Sequence, residues 1–187
     1  MYKIKTTHVG SLPRSNELSD LLFKKDKKEK IDINNFDEIV KRDVNKIVEK
    51  QINLGIDFIS DGEMSKISYA TYVKDRIDGF SGESERKAPQ DLDDFPSFKE
   101  RIARAGGTPT YTRPCCTHEL KIKDKLSLTK DINNFKTALD KNNHKLGFMN
   151  AASPGVISAF LPNKFYKNDD EYLDALSNIM KLSLIHI

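Results

Sequence analysis

Hydrophobic residues recur along this chain in two patterns, one typical of amphipathic helices and one typical of short buried strands. Over residues 36–54 the apolar positions fall three or four apart, which places them on one face of a helix. Gly55 is expected to end that helix, and Asn34-Asn35 to cap its beginning. Residues 56–60 are mostly apolar and β-prone, and they predict a buried strand.

The same two patterns continue through the rest of the chain. A strand is expected over residues 3–9 and another over 120–123, where apolar and polar residues alternate. A further apolar run covers residues 147–152, and loop composition marks residues 79–95. The other predicted helices cover residues 16–24, 68–77, 98–105, 131–139 and 169–182. One more helix is expected to begin at Ser153-Pro154.

Strand and helix therefore alternate about four times, which predicts an α/β fold with a parallel sheet covered by helices. Four such units are half of a (β/α)8 TIM barrel. The chain has 187 residues, fewer than the roughly 250 of a complete barrel. An isolated half would leave strand edges and an apolar face open. We therefore expect residues 1–187 to be the N-terminal portion of a single barrel domain, ending in residues 182–187 that resemble translated adapter sequence.

Composition excludes several classes of function. The 31 Lys and Arg residues against 28 Asp and Glu give a net charge of +3, spread along the chain without a basic patch for nucleic acid. No apolar stretch reaches the roughly 18 residues of a membrane span. The N-terminus lacks the apolar core of a secretory signal, so we expect a cytoplasmic protein with free thiols at Cys115 and Cys116.

The first candidate site is the segment TTHVGSLPR, residues 6–14, at the end of a predicted inner strand, where barrel enzymes build their sites. Gly10 allows a ligand to approach the backbone, and Ser11 offers a hydroxyl and an amide. His8 and Arg14 could contact an anionic group. The alternative interpretation is a strand-ending turn with an ordinary histidine.

The second candidate site is the segment SDGEMSK, residues 60–66, directly after the predicted strand. A carboxylate in such a cleft can hold a substrate ammonium, or act as acid or base when its pKa is raised. Asp61 and Glu63 would point to the same side if the segment were extended. The alternative interpretation is a turn whose acids cap a helix.

Five stretches of the chain resemble the cobalamin-independent methionine synthase family and its short single-barrel relatives. The stretches occur in the family's order and extend over nearly the whole chain. The central stretch is long and specific, which makes the resemblance stronger than any short motif. They are TTHVGSLPRS, GIDFISDGEMSKISYATYVKDRIDGF, FMNAASPGV, PNKFY and DEYLDAL.

This resemblance implies a zinc-dependent S-methyltransferase of methionine biosynthesis. It would transfer a methyl group from a methylated tetrahydrofolate to homocysteine or a similar small thiol. In the family, a loop equivalent to Val9, Gly10 and Ser11 and an acid equivalent to Glu63 bind the amino-acid end of the thiol substrate. Ser11 would then contact the carboxylate and Glu63 the ammonium.

The family's zinc ligands are a His-x-Cys pair, a later Glu and a later Cys, and no such set occurs in this sequence. The resemblance therefore implies that the ligands lie in a C-terminal half that the chain lacks, and that the chain by itself is inactive. Cys116 and His118 would share a face of a strand, but two residues do not complete a zinc site. We expect no metal site here and interpret both cysteines as packing residues.

Two other functions stay open on the sequence. One is alkyl transfer to coenzyme M, as in the epoxyalkane:coenzyme M transferases, whose sulfonate acceptor needs a cationic pocket in place of a clamp for a zwitterion. The other is a non-catalytic half-barrel that binds a partner. Ser153 remains a further candidate for the pocket, although helix capping already accounts for it.

Overall fold

The computed structural model describes residues 4–84, 94–104 and 113–184. Its first two helices are α1, Asn16–Asp26, and α2, Ile33–Asn53. The long helix confirms the predicted apolar stripe, because every buried aliphatic or aromatic residue of α2 lies at the expected spacing. Its N-cap is Asp32 rather than Asn34-Asn35, since the Asp32 carboxylate accepts hydrogen bonds from both of those backbone amides.

Parallel pairing brings together three chain segments that are distant in sequence. Thr7 forms a parallel bridge with Phe58. The next residues form β1, Ile59–Ser60, which pairs in parallel with β4, Gly147–Phe148. Because the three segments run in the same direction, their C-terminal ends lie at one edge of this small sheet. Residues 8–14, 61–66 and 149–153 follow these ends.

An antiparallel pair replaces part of the predicted βα repeat. The predicted helix over residues 68–77 is instead a short 3-10 helix, Thr71–Asp75, followed by β2, Ile77–Ser81. This strand pairs antiparallel with β3, Cys115–Ile122, which includes most of the strand expected over 120–123. Near its start β3 also forms a parallel bridge, between Cys116 and Asn163. Among the described residues four consecutive parallel βα units are therefore not observed. Residues 85–93 of the predicted loop lie outside the described part.

Glycine at position 79 permits this antiparallel pairing. Gly79 has φ +111°, and a Cβ there would lie 2.9 Å from the carbonyl oxygen of His118 and 2.9 Å from a methyl group of Leu120. The pairing register shifts at this point, between Asp78 and Phe80. The local sequence signal is a glycine inside a short strand, which often marks a bulge.

The remaining helices follow the predicted order. They are α3, Pro96–Arg104; α4, Leu126–Lys141; α5, Pro154–Phe160; and α6, Asp169–Leu184. Three acids stand in the first turn of α6, where the helix dipole favours negative charge. The helix reaches residue 184, two residues beyond the end predicted near residue 182, and residues 185–187 are not among the described residues.

Buried side chains form two hydrophobic clusters among the described residues. The first joins α1, α2, β1 and α4, and the second joins the 3-10 helix, β2, β3, α5 and α6. Two ion pairs with little solvent exposure link the clusters, Lys74 with Asp26 and Arg76 with Asp131. In the part of the chain that is described, no helix combines the length and apolar character needed to span a membrane.

Candidate functional site

Ser11 and Glu63, from the two candidate segments, are in direct contact. The Ser11 hydroxyl donates a hydrogen bond of 2.6 Å to Glu63 Oε2. The backbone amide of Leu12 donates to the carbonyl oxygen of Gly62 at 3.0 Å, which fixes the two segments side by side. Ser11 is exposed, whereas Glu63 is 2% exposed, so the carboxylate lies directly behind the serine.

The turn that carries Glu63 has a left-handed backbone and is not extended as the sequence suggested. Gly62 has φ +62° and Glu63 has φ +55°. A Cβ on Gly62 would lie 2.9 Å from Met64 and 3.1 Å from Leu12, so glycine also suits the close packing there. For Glu63, a left-handed conformation is unfavourable, and the surroundings must hold it in place.

Arg14 holds that turn through its backbone carbonyls. Its guanidinium donates to the carbonyl oxygens of Glu63 and Lys66, both at 2.7 Å, and to that of Met64 at 3.3 Å. Burial lowers the pKa of Arg14, while the nearby acids Glu63 and Asp61 oppose that shift. Arg14, expected to contact an anionic group, therefore contacts the peptide backbone of the second segment instead.

Asp61 lies beneath the turn at 3% exposure. Its carboxylate accepts a hydrogen bond of 3.2 Å from the backbone amide of Glu63. Burial raises the pKa of Asp61, and the positive charge of Lys66 is the strongest influence in the opposite direction. Asp61 thus combines a structural contact with an environment that favours its protonated form.

Asn150 is a site residue that the sequence reasoning did not single out. Its side-chain amide donates to Glu63 Oε1 at 3.3 Å, and its backbone carbonyl accepts from the Lys66 ammonium at 2.9 Å. Asn150 lies two residues after β4, whereas Asp61 directly follows β1. A polar residue close to the end of a third parallel strand was the available signal, since the ends of parallel strands share one edge.

The other residues of the first segment surround this contact. Val9 is 68% exposed. Gly10 has φ +100° with open space where a Cβ would be, so its backbone is accessible to a ligand. The His8 Nε2 atom is buried and has no hydrogen-bond partner among the described residues. Ser153 caps α5 by accepting a hydrogen bond of 3.2 Å from the backbone amide of Val156, and it forms no hydrogen bond with Ser11 or Glu63.

The described residues do not provide a metal site. They contain no group of three or more His, Cys, Asp or Glu side chains that could hold an ion. Cys116 is fully buried and its thiol contacts the carbonyl oxygen of His118 at 3.5 Å, while the His118 side chain is exposed. Burial raises the pKa of Cys116 to about 11, so its thiolate is disfavoured at neutral pH.

This arrangement can hold a zwitterion by its cationic end. An ionised carboxylate offers about four acceptor positions, and Ser11 and Asn150 use one on each oxygen of Glu63. An incoming ammonium could use a remaining position or replace the Ser11 hydroxyl. The backbone amides of residues 9–11 belong to the adjoining segment, where they could donate to a carboxylate.

Two comparisons with known proteins found similarities to this chain. The sequence profile described as "Cobalamin-independent synthase, Catalytic domain" matches residues 4–126. Among solved structures, the chain is similar to a B12-independent methionine synthase from Shewanella sp. W3-18-1 in complex with selenomethionine, at 16% identity and a TM-score of 0.66. That similarity covers 96% of this chain and 46% of the other, so the chain spans less than half of that relative's length. A comparison with curated proteins gave no match.

Proposed function

This chain belongs to the cobalamin-independent methionine synthase family, and from that premise we propose that it binds the amino-acid end of a thiol substrate in a methyltransferase. The reaction is the transfer of a methyl group from a methylated tetrahydrofolate-type donor to the sulfur of homocysteine or a similar thiol. The observation that supports the proposal is the contact between Ser11 and the buried carboxylate of Glu63. It joins the two segments that resemble the family's amino-acid-binding loop and acid.

In this proposal each residue binds a different part of the zwitterion. Glu63 accepts a hydrogen bond from the substrate ammonium, and burial at 2% exposure strengthens that charge-assisted contact. The substrate ammonium replaces the Ser11 hydroxyl on Glu63, so that this hydroxyl can donate to the substrate carboxylate together with the backbone amides of Val9, Gly10 and Ser11. Asn150 and Arg14 orient Glu63, one through its carboxylate and the other through its backbone carbonyl.

The proposed reaction needs a zinc ion, but this chain does not supply the residues that would bind it. The described residues do not fit a zinc site, because catalytic zinc needs three protein ligands and no such group is present among them. We therefore propose that the ligands lie in a further part of the barrel and that the 187-residue chain alone does not transfer a methyl group. The described residues serve substrate binding.

The proposed fold of the whole is a (β/α)8 barrel to which residues 1–187 contribute the N-terminal portion of one domain. The fold similarity to a protein of about twice this length supports it, since nearly all of this chain is included in the match. The parallel segments around Thr7, β1 and β4 would be successive barrel strands. The antiparallel pair of β2 and β3 would then be an excursion between two of them.

A coenzyme M acceptor fits this site less well. Its sulfonate carries negative charge and the molecule has no ammonium, so a buried carboxylate at Glu63 would repel it.

The proposal predicts that Glu63 recognises the ammonium of a bound amino acid. Methionine and 4-(methylthio)butanoate share a thioether chain and a carboxylate, and only methionine carries the ammonium. We expect the chain to bind methionine more tightly in calorimetric titration, and Glu63→Gln to remove that preference. A charge-assisted hydrogen bond of about 1.5–3 kcal/mol corresponds to a roughly ten- to hundredfold loss of methionine affinity.

Glu49→Gln is the matched control, because Glu49 is an exposed acid of α2 outside the site. It should change neither affinity nor stability. In a polypeptide that includes the zinc ligands, Glu63→Gln should lower the affinity for homocysteine and Glu49→Gln should not. Unchanged methionine affinity in Glu63→Gln, together with a large fall in thermal stability, would show that Glu63 is a structural acid and would contradict the proposal.

A further inference from the structure

A cavity of about 520 Å³ lies where the two hydrophobic clusters meet, next to the Ser11–Glu63 contact but outside it. Small-molecule sites commonly have volumes of roughly 300–1,000 Å³. Its walls come from the 3-10 helix, the antiparallel pair, α4, the segment after β4, and α6. Much of the lining is apolar, with Ile77, Ile122, Ile132, Met149 and Met180 among its residues.

The charged side chains that line this cavity are mostly cationic. They are Lys66, Arg76, Lys125 and Lys136, against the single acid Asp124 among the described lining residues. Asp124 already accepts hydrogen bonds from the backbone amides of Leu126 and Ser127 and from the Ser127 hydroxyl, at the start of α4.

Arg76 is balanced by its ion pair with Asp131. Lys66, Lys125 and Lys136 form no ion pair within the described part of the chain. The cavity therefore carries an excess of positive charge that no side chain described here neutralises by direct contact.

Lys66 is the buried member of this set, at 4% exposure. Its ammonium donates one hydrogen bond, to the carbonyl oxygen of Asn150 at 2.9 Å, and lies 5.0 Å from the centre of the Tyr72 ring. An ammonium has three donors, so two remain without a hydrogen-bond acceptor in the described structure. The two other donors are available to an anionic group in the cavity that Lys66 lines.

We propose that this cavity binds an organic anion, an aryl or alkyl carboxylate, with its acidic group on Lys66. The apolar body of the ligand lies against Ile77, Ile132 and Met180. An inorganic anion would satisfy Lys66 and leave the apolar walls uncovered, so the lining favours an amphipathic ligand. The site adjoins the proposed thiol site through Asn150, which contacts both Lys66 and Glu63, but it presents a cation where that site presents a carboxylate.

Benzoate and benzamide test the proposal, because they have nearly the same shape and only benzoate is charged at neutral pH. Binding of each to the 187-residue chain is measured by NMR titration. We expect benzoate to bind more tightly, and Lys66→Met to weaken benzoate about tenfold or more while leaving benzamide unchanged. Lys121→Met is the matched control, since Lys121 is exposed, pairs with Glu119 and does not line the cavity.

A second variant tests the location by steric blocking. Thr129 is exposed on α4 and lines the cavity, so Thr129→Trp is expected to fill it and abolish benzoate binding without unfolding the helix. Equal binding of benzoate and benzamide, undiminished benzoate binding by folded Lys66→Met, or undiminished binding by Thr129→Trp would each overturn the proposal. Thermal unfolding of every variant shows whether a loss of binding is caused by misfolding. If Lys66→Met does not fold, the benzoate binding of Thr129→Trp decides whether the proposal stands.

Discussion

Glu63 is a buried carboxylate on a backbone that non-glycine residues seldom adopt. A left-handed conformation costs a residue of this kind roughly 1–3 kcal/mol and persists where the surroundings over-determine it. Here the Glu63 amide donates to Asp61, its carbonyl accepts from Arg14, and its two carboxylate oxygens accept from Ser11 and Asn150. The strain is therefore located at the residue that we assign to the substrate ammonium.

The raised pKa of Asp61 makes folding stability depend on pH. Burial is the main cause, opposed by Lys66, while Asp131 and Glu63 raise the pKa further. The folded state then binds more protons than the unfolded state at pH values between the unfolded pKa of about 3.9 and the higher folded pKa. The contribution of Asp61 to stability is therefore greatest at low pH and falls as the pH rises through its folded pKa.

Asp61→Asn is expected to flatten this dependence, because asparagine keeps the oxygen that accepts from Glu63 but does not titrate. Urea unfolding at a series of pH values from 4 upward measures the slope of stability for wild type and variant. Asp140→Asn, an exposed acid of α4, is the control and should leave the slope unchanged. A slope in Asp61→Asn identical to that of the wild type would contradict the assignment.

At the scale of residues, the sequence predicted the two segments of the site but not their mutual contacts. A strand followed by Asp61-Gly62-Glu63 is a local signal, and so is Gly10-Ser11 after the first strand. The role of Asn150 depends on a pairing between β1 and β4 that no local pattern encodes. For the same reason Arg14, which is close to Ser11 in sequence, could not be assigned to the carbonyls of the second segment.

Among the elements, the long helix α2 depends on a cap one turn earlier than its apolar stripe suggests. Asp32 accepts hydrogen bonds of 2.9 and 3.2 Å from the amides of Asn34 and Asn35, which would otherwise lack intrahelical partners. Sequence periodicity locates the buried face of a helix well. It locates the ends poorly, because several Asp and Asn residues near the start are all acceptable caps.

We predict that Asp32→Ala destabilises the protein by about 1 kcal/mol, the usual cost of removing an N-cap side chain. Asn35→Ala is the matched control, because Asn35 contributes its backbone amide and not its side chain to this cap. Chemical denaturation of both variants gives the comparison. Equal destabilisation by the two substitutions would show that Asp32 does not have the capping role described here.

The antiparallel pair is the element that sequence patterns missed most clearly. Residues 68–77 show helical spacing, yet only Thr71–Asp75 form a helical turn before β2 begins. The strand's partner, β3, is more than thirty positions further along the chain. Hydrophobic periodicity measures local propensity, and a distant partner can override it.

For the molecule as a whole, the two hydrophobic clusters are joined by ion pairs of low exposure. Arg76, at the end of the 3-10 helix, pairs with Asp131 of α4, and its guanidinium lies 4.9 Å from the centre of the Tyr72 ring. Lys74 pairs with Asp26 of α1. Desolvation offsets much of the attraction within such pairs, so their main effect is to fix how the two clusters meet.

Asp131→Asn should destabilise the protein by about 1–3 kcal/mol, because it leaves Arg76 in a largely buried position without a charged partner. Replacing both partners, as Arg76→Met with Asp131→Leu, should cost less than the single change, since no uncompensated charge remains. Thermal unfolding of the single and double variants measures the difference. A double variant less stable than Asp131→Asn would show that the pair itself stabilises the junction.

The distance in sequence between the paired segments determines when each part of the site can form during synthesis. Thr7 and Phe58 are 51 residues apart, and Glu63 and Asn150 are 87 apart. A ribosome adding roughly 5–20 residues per second takes roughly 4–17 s to make the second stretch. During that interval α1 and α2 can already pack together, but the Glu63 carboxylate has no Asn150 and the apolar surface meant for α4 stays open. The nascent chain of this protein therefore exposes part of its first hydrophobic cluster for several seconds before α4 can cover it.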